Sequence, residues 1–155
     1  EENKRLYQVQ VSRHVDEGYV SDDAIRIEIH KSINKIKSRE QINTLIEEYT
    51  DRYGKLSEQI LLYMEEKYLE YLLKINGVES FRETDTEVMF NFDEETTSHI
   101  NAQKIFELSV KLHLRYKFDY RSRKIIIKID KNSTSKSYIY GLVKFLENLK
   151  ELRNI

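Results

Sequence analysis

The apolar residues of this chain change period at Asn76-Gly77. From about residue 22 to that pair they recur every three or four residues, and after it several stretches alternate residue by residue. A repeat near 3.6 builds an amphipathic helix, whereas a repeat of two builds a half-buried strand. The chain is therefore predicted to hold a helical half followed by a mixed half. In the first half, Ile25, Ile29, Ile33 and Ile36 share one face of a helix over about 22–37, with Ser21 as its cap and Asp22 and Asp23 at the positive end of its dipole. Ser38 and Gln41 have the form of a capping box and open a second helix carrying Ile42, Leu45, Ile46, Tyr49 and Tyr53, which Gly54 ends. A third helix over about 57–75 carries Leu61, Met64, Tyr68, Leu72 and Ile75.

In the second half, 78–83 and 87–92 read as strands joined by Thr84-Asp85-Thr86, with Val88, Phe90 and Phe92 on one face. A helix over about 97–112 follows, with Ile105, Leu108 and Leu112 inward. A second hairpin spans 114–120 and 124–130 around Arg121-Ser122-Arg123, and a last helix runs over about 135–152. Strands joined by tight turns pair antiparallel, and helices cover a face of such a sheet. The expected fold is α+β, with three N-terminal helices, then strand hairpins and two further helices, packed on a mainly antiparallel sheet. Residues 1–20, with an alternating strand at Leu6–Val11, read as an upstream connection and 21–155 as one domain. A division near Gly77 is the alternative. The chain begins without methionine, as a piece of a longer protein would.

Composition removes several kinds of chemistry. There is no cysteine, which excludes disulfides, thiolate metal sites and thiol nucleophiles and suits a reducing cytoplasm. The four glycines, Gly18, Gly54, Gly77 and Gly141, are isolated, so neither a phosphate loop nor a dinucleotide fingerprint is present. His14, His30, His99 and His113 have no metal-ligand spacing between them, and no nucleophile elbow occurs. No apolar run is long enough to cross a bilayer. The acidic clusters Glu47-Glu48, Glu65-Glu66 and Asp93-Glu94-Glu95 are expected to be solvated faces. This sequence offers no catalytic, metal or cofactor site, and an independent small enzyme is a reading without a motif.

Two charge features stand out against a formal net charge of −1. Residues 115–136 hold eight basic and two acidic side chains interleaved with aromatics. Arg121, Arg123 and Lys124 at the hairpin tip are the candidate contacts for a nucleic acid. The plainer reading is a hairpin with its aromatics inward and cations outward, neutralised in part by the acidic stretch Glu83 to Glu95. The second feature is Glu48-Tyr49-Thr50-Asp51-Arg52-Tyr53-Gly54. Helical spacing puts Glu48 and Asp51 on one face and Arg52 within reach of Glu48. Such a cluster is either a solvated helix end or a contact for a partner's arginines.

That stretch, Glu48-x-x-Asp51-Arg52-Tyr53-Gly54-x-Leu56, resembles the E-x-x-D-R-F-G-x-L-P segment of the transcription-repair coupling factor C-terminal domain. Tyr19-Val20-Ser21-Asp22 with Arg26 resembles the family's Y-I-P-D and following arginine. Ser21 and Ser57 stand where the family usually has proline, and Tyr53 where it has phenylalanine. The resemblance implies a non-catalytic regulatory domain of an ATP-dependent DNA translocase. That protein displaces RNA polymerase stalled at damage on double-stranded DNA and recruits UvrA. Its ATP and Mg would be held elsewhere in the protein, with no cofactor in this chain. The implied role is an autoinhibitory clamp on a UvrB-like N-terminal module of the same protein, masking the surface UvrA must reach. Glu48 and Asp51 would pair with arginines of that module, and Arg52 would add hydrogen bonds.

Overall fold

The computed structural model describes Val15 and residues 18–149. The strand expected at Leu6–Val11, His14 and Leu152 lie outside them. The described residues form two compact units, one ending at Tyr71 and the other beginning at Leu72.

The first unit is helical. Helix α1 spans Asp23–Asn34, α2 Arg39–Tyr53, and α3 Glu58–Ile75, whose last turn belongs to the second unit. The α1 cap is Asp22, one residue beyond the expected Ser21, because its carboxylate accepts from both Ala24 N–H and Ile25 N–H. A charged acceptor satisfies two orphan donors where a serine hydroxyl reaches one. Ser38 caps α2 as expected, while Gln41 turns back to accept from Lys37 N–H at 2.6 Å. Ser57 accepts from Ile60 N–H, so its hydroxyl starts α3. Ile29, Ile33, Ile42, Tyr49, Ile60 and Met64 are buried.

One acidic pair departs from expectation. Glu65 and Glu66 are buried, not solvated. Arg39 grips the Glu65 carboxylate with both terminal nitrogens, at 2.5 and 2.9 Å, and lies over the Tyr68 ring. A bidentate guanidinium is the partner that lets a carboxylate leave water. His30 is half-buried, with Nδ1 3.0 Å from the Tyr63 hydroxyl.

The second unit is a four-stranded antiparallel sheet with helices. Strands β1 (Val78–Glu83), β2 (Glu87–Phe92), β3 (Tyr116–Arg121) and β4 (Lys124–Asp130) lie in the order β1-β2-β4-β3. The register sets rows of side chains across the sheet. Phe81, Phe90, Ile127 and Phe118 form one row, and Glu83, Val88, Ile129 and Tyr116 the next on the same face. That face is the core, with Phe90, Ile127 and Phe145 fully buried and Tyr116 edge-on to Phe145. Between β2 and β3 the expected single helix is two: α4 (Glu94–His99) and α5 (Ala102–Lys111). Ile100 is extended and buried, and Asn101 restarts the helix by accepting from Lys104 N–H. The final helix α6 is Tyr138–Glu147, capped by Ser137 and so begun later than expected. The aromatics of β3 are only partly inward: Tyr116 and Phe118 are half-buried, but Tyr120 is 65% exposed.

Among the described residues, three that are not glycine take left-handed backbone: His113 beyond α5, and Ser122 and Arg123, the two-residue turn of the second hairpin. Two successive positive φ values suit the twist of a hairpin, here without the usual Asn or Gly. Gly77, at φ +73°, has a tighter requirement, because a Cβ there would collide with the Thr96 side chain. Its carbonyl accepts from Asp93 N–H, Asp93 caps α4 through Thr96 N–H, and Thr97 Oγ1 accepts from Ile125 N–H. One glycine thus lets the start of β1, the end of β2, α4 and the start of β4 meet. Gly77→Ala is expected to destabilise the protein by about 2–4 kcal/mol, from left-handed strain plus overpacking. A chemical-denaturation midpoint indistinguishable from the parent would refute that.

Candidate functional site

The two sequence stretches that carry the resemblance meet in space within the first unit. The Tyr19 hydroxyl lies 3.0 Å from the Tyr49 carbonyl and 2.9 Å from that of Gly54. Gly54 lies just past the end of α2 and Tyr49 one turn before it, so the hydroxyl ties the last turn to the residue that follows it. Gly54, at φ +95°, turns the chain there and returns its N–H to the Thr50 carbonyl. The Tyr53 ring lies between two others, its centroid 6.2 Å from that of Tyr19 and 6.1 Å from that of Tyr49. Burial, with Tyr53 and Tyr49 adding to it, raises the Tyr19 hydroxyl pKa, so it stays a proton donor at neutral pH. Asp22 of the same stretch caps α1, and Arg26 donates to the Val20 carbonyl at 2.8 Å and pairs with Asp23. The motif residues at 19–26 thus brace the end of α2 and start α1.

On that braced end stand Glu48, Asp51 and Arg52, all exposed. Arg52 Nη1 is 3.3 Å from Glu48 Oε2, and its guanidinium sits 5.1 Å over the Tyr53 ring. Ring and carboxylate hold the guanidinium in place, a geometry lysine does not reproduce. The Asp51 side chain has no hydrogen bond or ion pair with any described residue and faces solvent. The cluster therefore offers one uncommitted carboxylate, one carboxylate in an exposed pair worth about 0.2–1 kcal/mol, and an oriented guanidinium. The backbone beneath is fixed while the charges stay available to a partner.

In the second unit, the hairpin tip brings Arg121, Arg123 and Lys124 together, each beside a carboxylate. Arg121 pairs with Asp119 at 2.9 Å, Arg123 with Glu94 at 3.5 Å, and Lys124 with Glu79 at 2.7 Å. The Asp119 carboxyl is held below its usual range by the Tyr120 N–H and by Arg121. The Lys124 hydrogen bond likewise lowers Glu79. The acidic stretch expected to neutralise this region does so in part, through Glu94 and through Glu83. The nearly inaccessible Glu83 carboxylate receives Lys131 at 2.7 Å and the Tyr138 hydroxyl at 2.9 Å. Sequence reasoning missed Glu79, whose nearness to Lys124 depends on non-local strand order. Among the described residues no group of three or more His, Asp or Glu side chains is arranged to hold a metal ion, and no helix is long and apolar enough to cross a membrane.

Comparison with known proteins agrees with this geometry. A family model of the TRCF domain matches residues 9–103, and the chain belongs to that family. The transcription-repair-coupling factor of Bacillus subtilis (strain 168) is 21% identical over 146 residues, which are 94% of this chain. The chain spans 12% of the length of that relative. The fold is that of a solved crystal structure of the C-terminal domain of transcription-repair coupling factor, with a TM-score of 0.79 and 24% identity over 94% of this chain and 91% of the other.

The brace is testable. Tyr19→Phe removes one hydroxyl and leaves the two carbonyls to water, which is expected to cost about 1 kcal/mol. It should also speed amide exchange at Gly54 and the last turn of α2. Unchanged exchange at those amides would show that the hydroxyl does not hold this end.

Proposed function

We propose that this chain is the regulatory, autoinhibitory C-terminal domain of a transcription-repair coupling factor. Such a factor is a cytoplasmic ATP-dependent DNA translocase that displaces stalled RNA polymerase and recruits nucleotide excision repair. In this reading the chain carries no catalysis of its own, and nucleotide, Mg and duplex DNA are bound elsewhere in the protein. Its task is to dock on the UvrB-like N-terminal module and mask the surface that UvrA must reach. The observation that supports the reading best is the exposed Glu48, Asp51 and Arg52 cluster, built on a helix end that Tyr19 braces. The negative end of a helix dipole disfavours both carboxylates, and the Asp51 side chain has no partner among the described residues, which supports an external use for them. Arginines of the module are the complementary partner for them, and Arg52 donates to its carbonyls or carboxylates.

A tethered domain meets its partner at high effective concentration, so a weak and reversible charged interface suffices to close the molecule. A closed state favoured by a few kcal/mol is then within reach of the binding energy of polymerase or DNA. The alternative, nucleic-acid binding through Arg121, Arg123 and Lys124, has less support. Each of those cations already faces a carboxylate, which reduces the charge it offers a phosphate.

Calorimetry of this chain against the separately prepared UvrB-like module tests the clamp. Binding that weakens as salt rises, and that falls about tenfold or more in a Glu48→Lys, Asp51→Lys variant, is the expected result. Equal binding by both forms would place the contact on another surface.

A further inference from the structure

The sheet has a second face, and its chemistry differs from that of the core face. The register places Arg82, Met89, Lys128 and Lys117 in one row across all four strands, and Ser80, Asn91, Ile126 and Asp119 in the next. Arg82, Lys117, Ser80 and Asp119 are exposed, and Met89, Lys128, Asn91 and Ile126 are half-exposed. A groove of about 440 Å³ runs over this face, lined by the side chains of Arg82, Arg121, Lys128, Met89, Asn91 and Ile126 among others, with no carboxylate among its lining residues.

Two of its cations are uncommitted. Arg121 pairs with Asp119, but the side chains of Arg82 and Lys128 have no hydrogen bond or ion pair with any described residue. Lys128 lies directly opposite Lys117 in the ladder, which also lacks such a partner. Like charges facing each other across a strand pair oppose folding. Carboxylates in the neighbouring rows offset that cost only in part, and the lowered pKa of Asp119 owes a minor part to Lys128. The arrangement is one that an incoming anion would complete. Carboxylates bound the groove region: Asp119 in the neighbouring row, and the facing pair Glu87 and Asp130 on the side beyond Arg82 and Lys128.

We infer that this groove is a docking site for an acidic segment of a partner polypeptide, one carrying a carboxylate beside an aliphatic side chain. The carboxylate sits between Arg82 and Lys128, and the aliphatic group rests on Met89 and Ile126, where a flexible thioether adapts to its shape. A nucleic-acid strand fits less well. No exposed aromatic ring stands in either row for a base to stack on, and the flanking carboxylates repel a continuous phosphate backbone. The surface is distinct from the α2 cluster, which lies in the other unit and recognises the opposite charge.

The test uses the whole chain, isotope-labelled, titrated with a short peptide of Glu, Leu and Ser. Its Lys-for-Glu counterpart and a single-stranded oligonucleotide are titrated alongside. The acidic peptide is expected to shift the amide signals of Arg82, Met89, Ile126 and Lys128. Its affinity should drop about tenfold or more in an Arg82→Glu, Lys128→Glu variant, and stay within about twofold in a Lys35→Glu, Lys55→Glu control of equal charge. If charge reversal perturbs the fold, Arg82→Gln with Lys128→Gln answers the same question at lower cost to the sheet. Absence of saturable shifts on the native chain, equal binding by reversed and control variants, or shifts of these amides by the oligonucleotide in place of the peptide would each overturn the inference.

Discussion

The second unit depends on a backbone position that only glycine fills. Gly77 follows α3 with a left-handed turn, and Thr96 occupies the space where any side chain would project. Because the two backbones approach so closely, the Gly77 carbonyl reaches Asp93 and fixes the first strand against the end of the second. Asp93 then starts α4, and Thr97 on that short helix holds Ile125, the point from which β4 enters the sheet between β2 and β3. Asn76 supports the approach by donating its backbone and side-chain N–H groups to the Leu72 carbonyl, which closes the last turn of α3. The hairpins supply area and the aromatic row supplies the core, but this junction sets where they lie.

The elements most legible in the sequence were those whose signal is local. The first hairpin was expected at 78–83 and 87–92 and lies there, because period-two alternation and a polar turn both lie within a few residues. The capping serine of α2 was equally readable. The break at Ile100 was missed because apolar spacing runs through it. Asn101, an N-cap residue three before Lys104 N–H, was the available sign. The turn at Ser122-Arg123 was located, but its conformation was hidden, since neither residue advertises positive φ. The burial of Glu65 was invisible for another reason: its partner Arg39 is 26 residues away.

The same division between local and non-local signals governs the sites. That Glu48, Asp51 and Arg52 share one helix end is readable from helical spacing, while their role as a contact rests on the family resemblance. What makes the cluster firm is Tyr19, brought 30 residues along the chain to the carbonyl of Tyr49. At the basic hairpin, local sequence overstated the free charge, because Glu79 and Glu94 reach it only through the folded sheet. On the open face it understated the free charge, because Arg82 and Lys128 join one row only when β1 and β4 flank β2. Net charge near zero therefore conceals two surfaces of opposite character, one in each unit.

The masking claim is tested most directly in the intact coupling factor, by measuring UvrA affinity with Glu48 and Asp51 present and with both reversed to lysine. The account predicts weak UvrA binding by the native protein and binding about tenfold or more tighter in the reversed protein, because the closed state loses its charged contact. Equal UvrA affinity in the two proteins, with both folded, would contradict it.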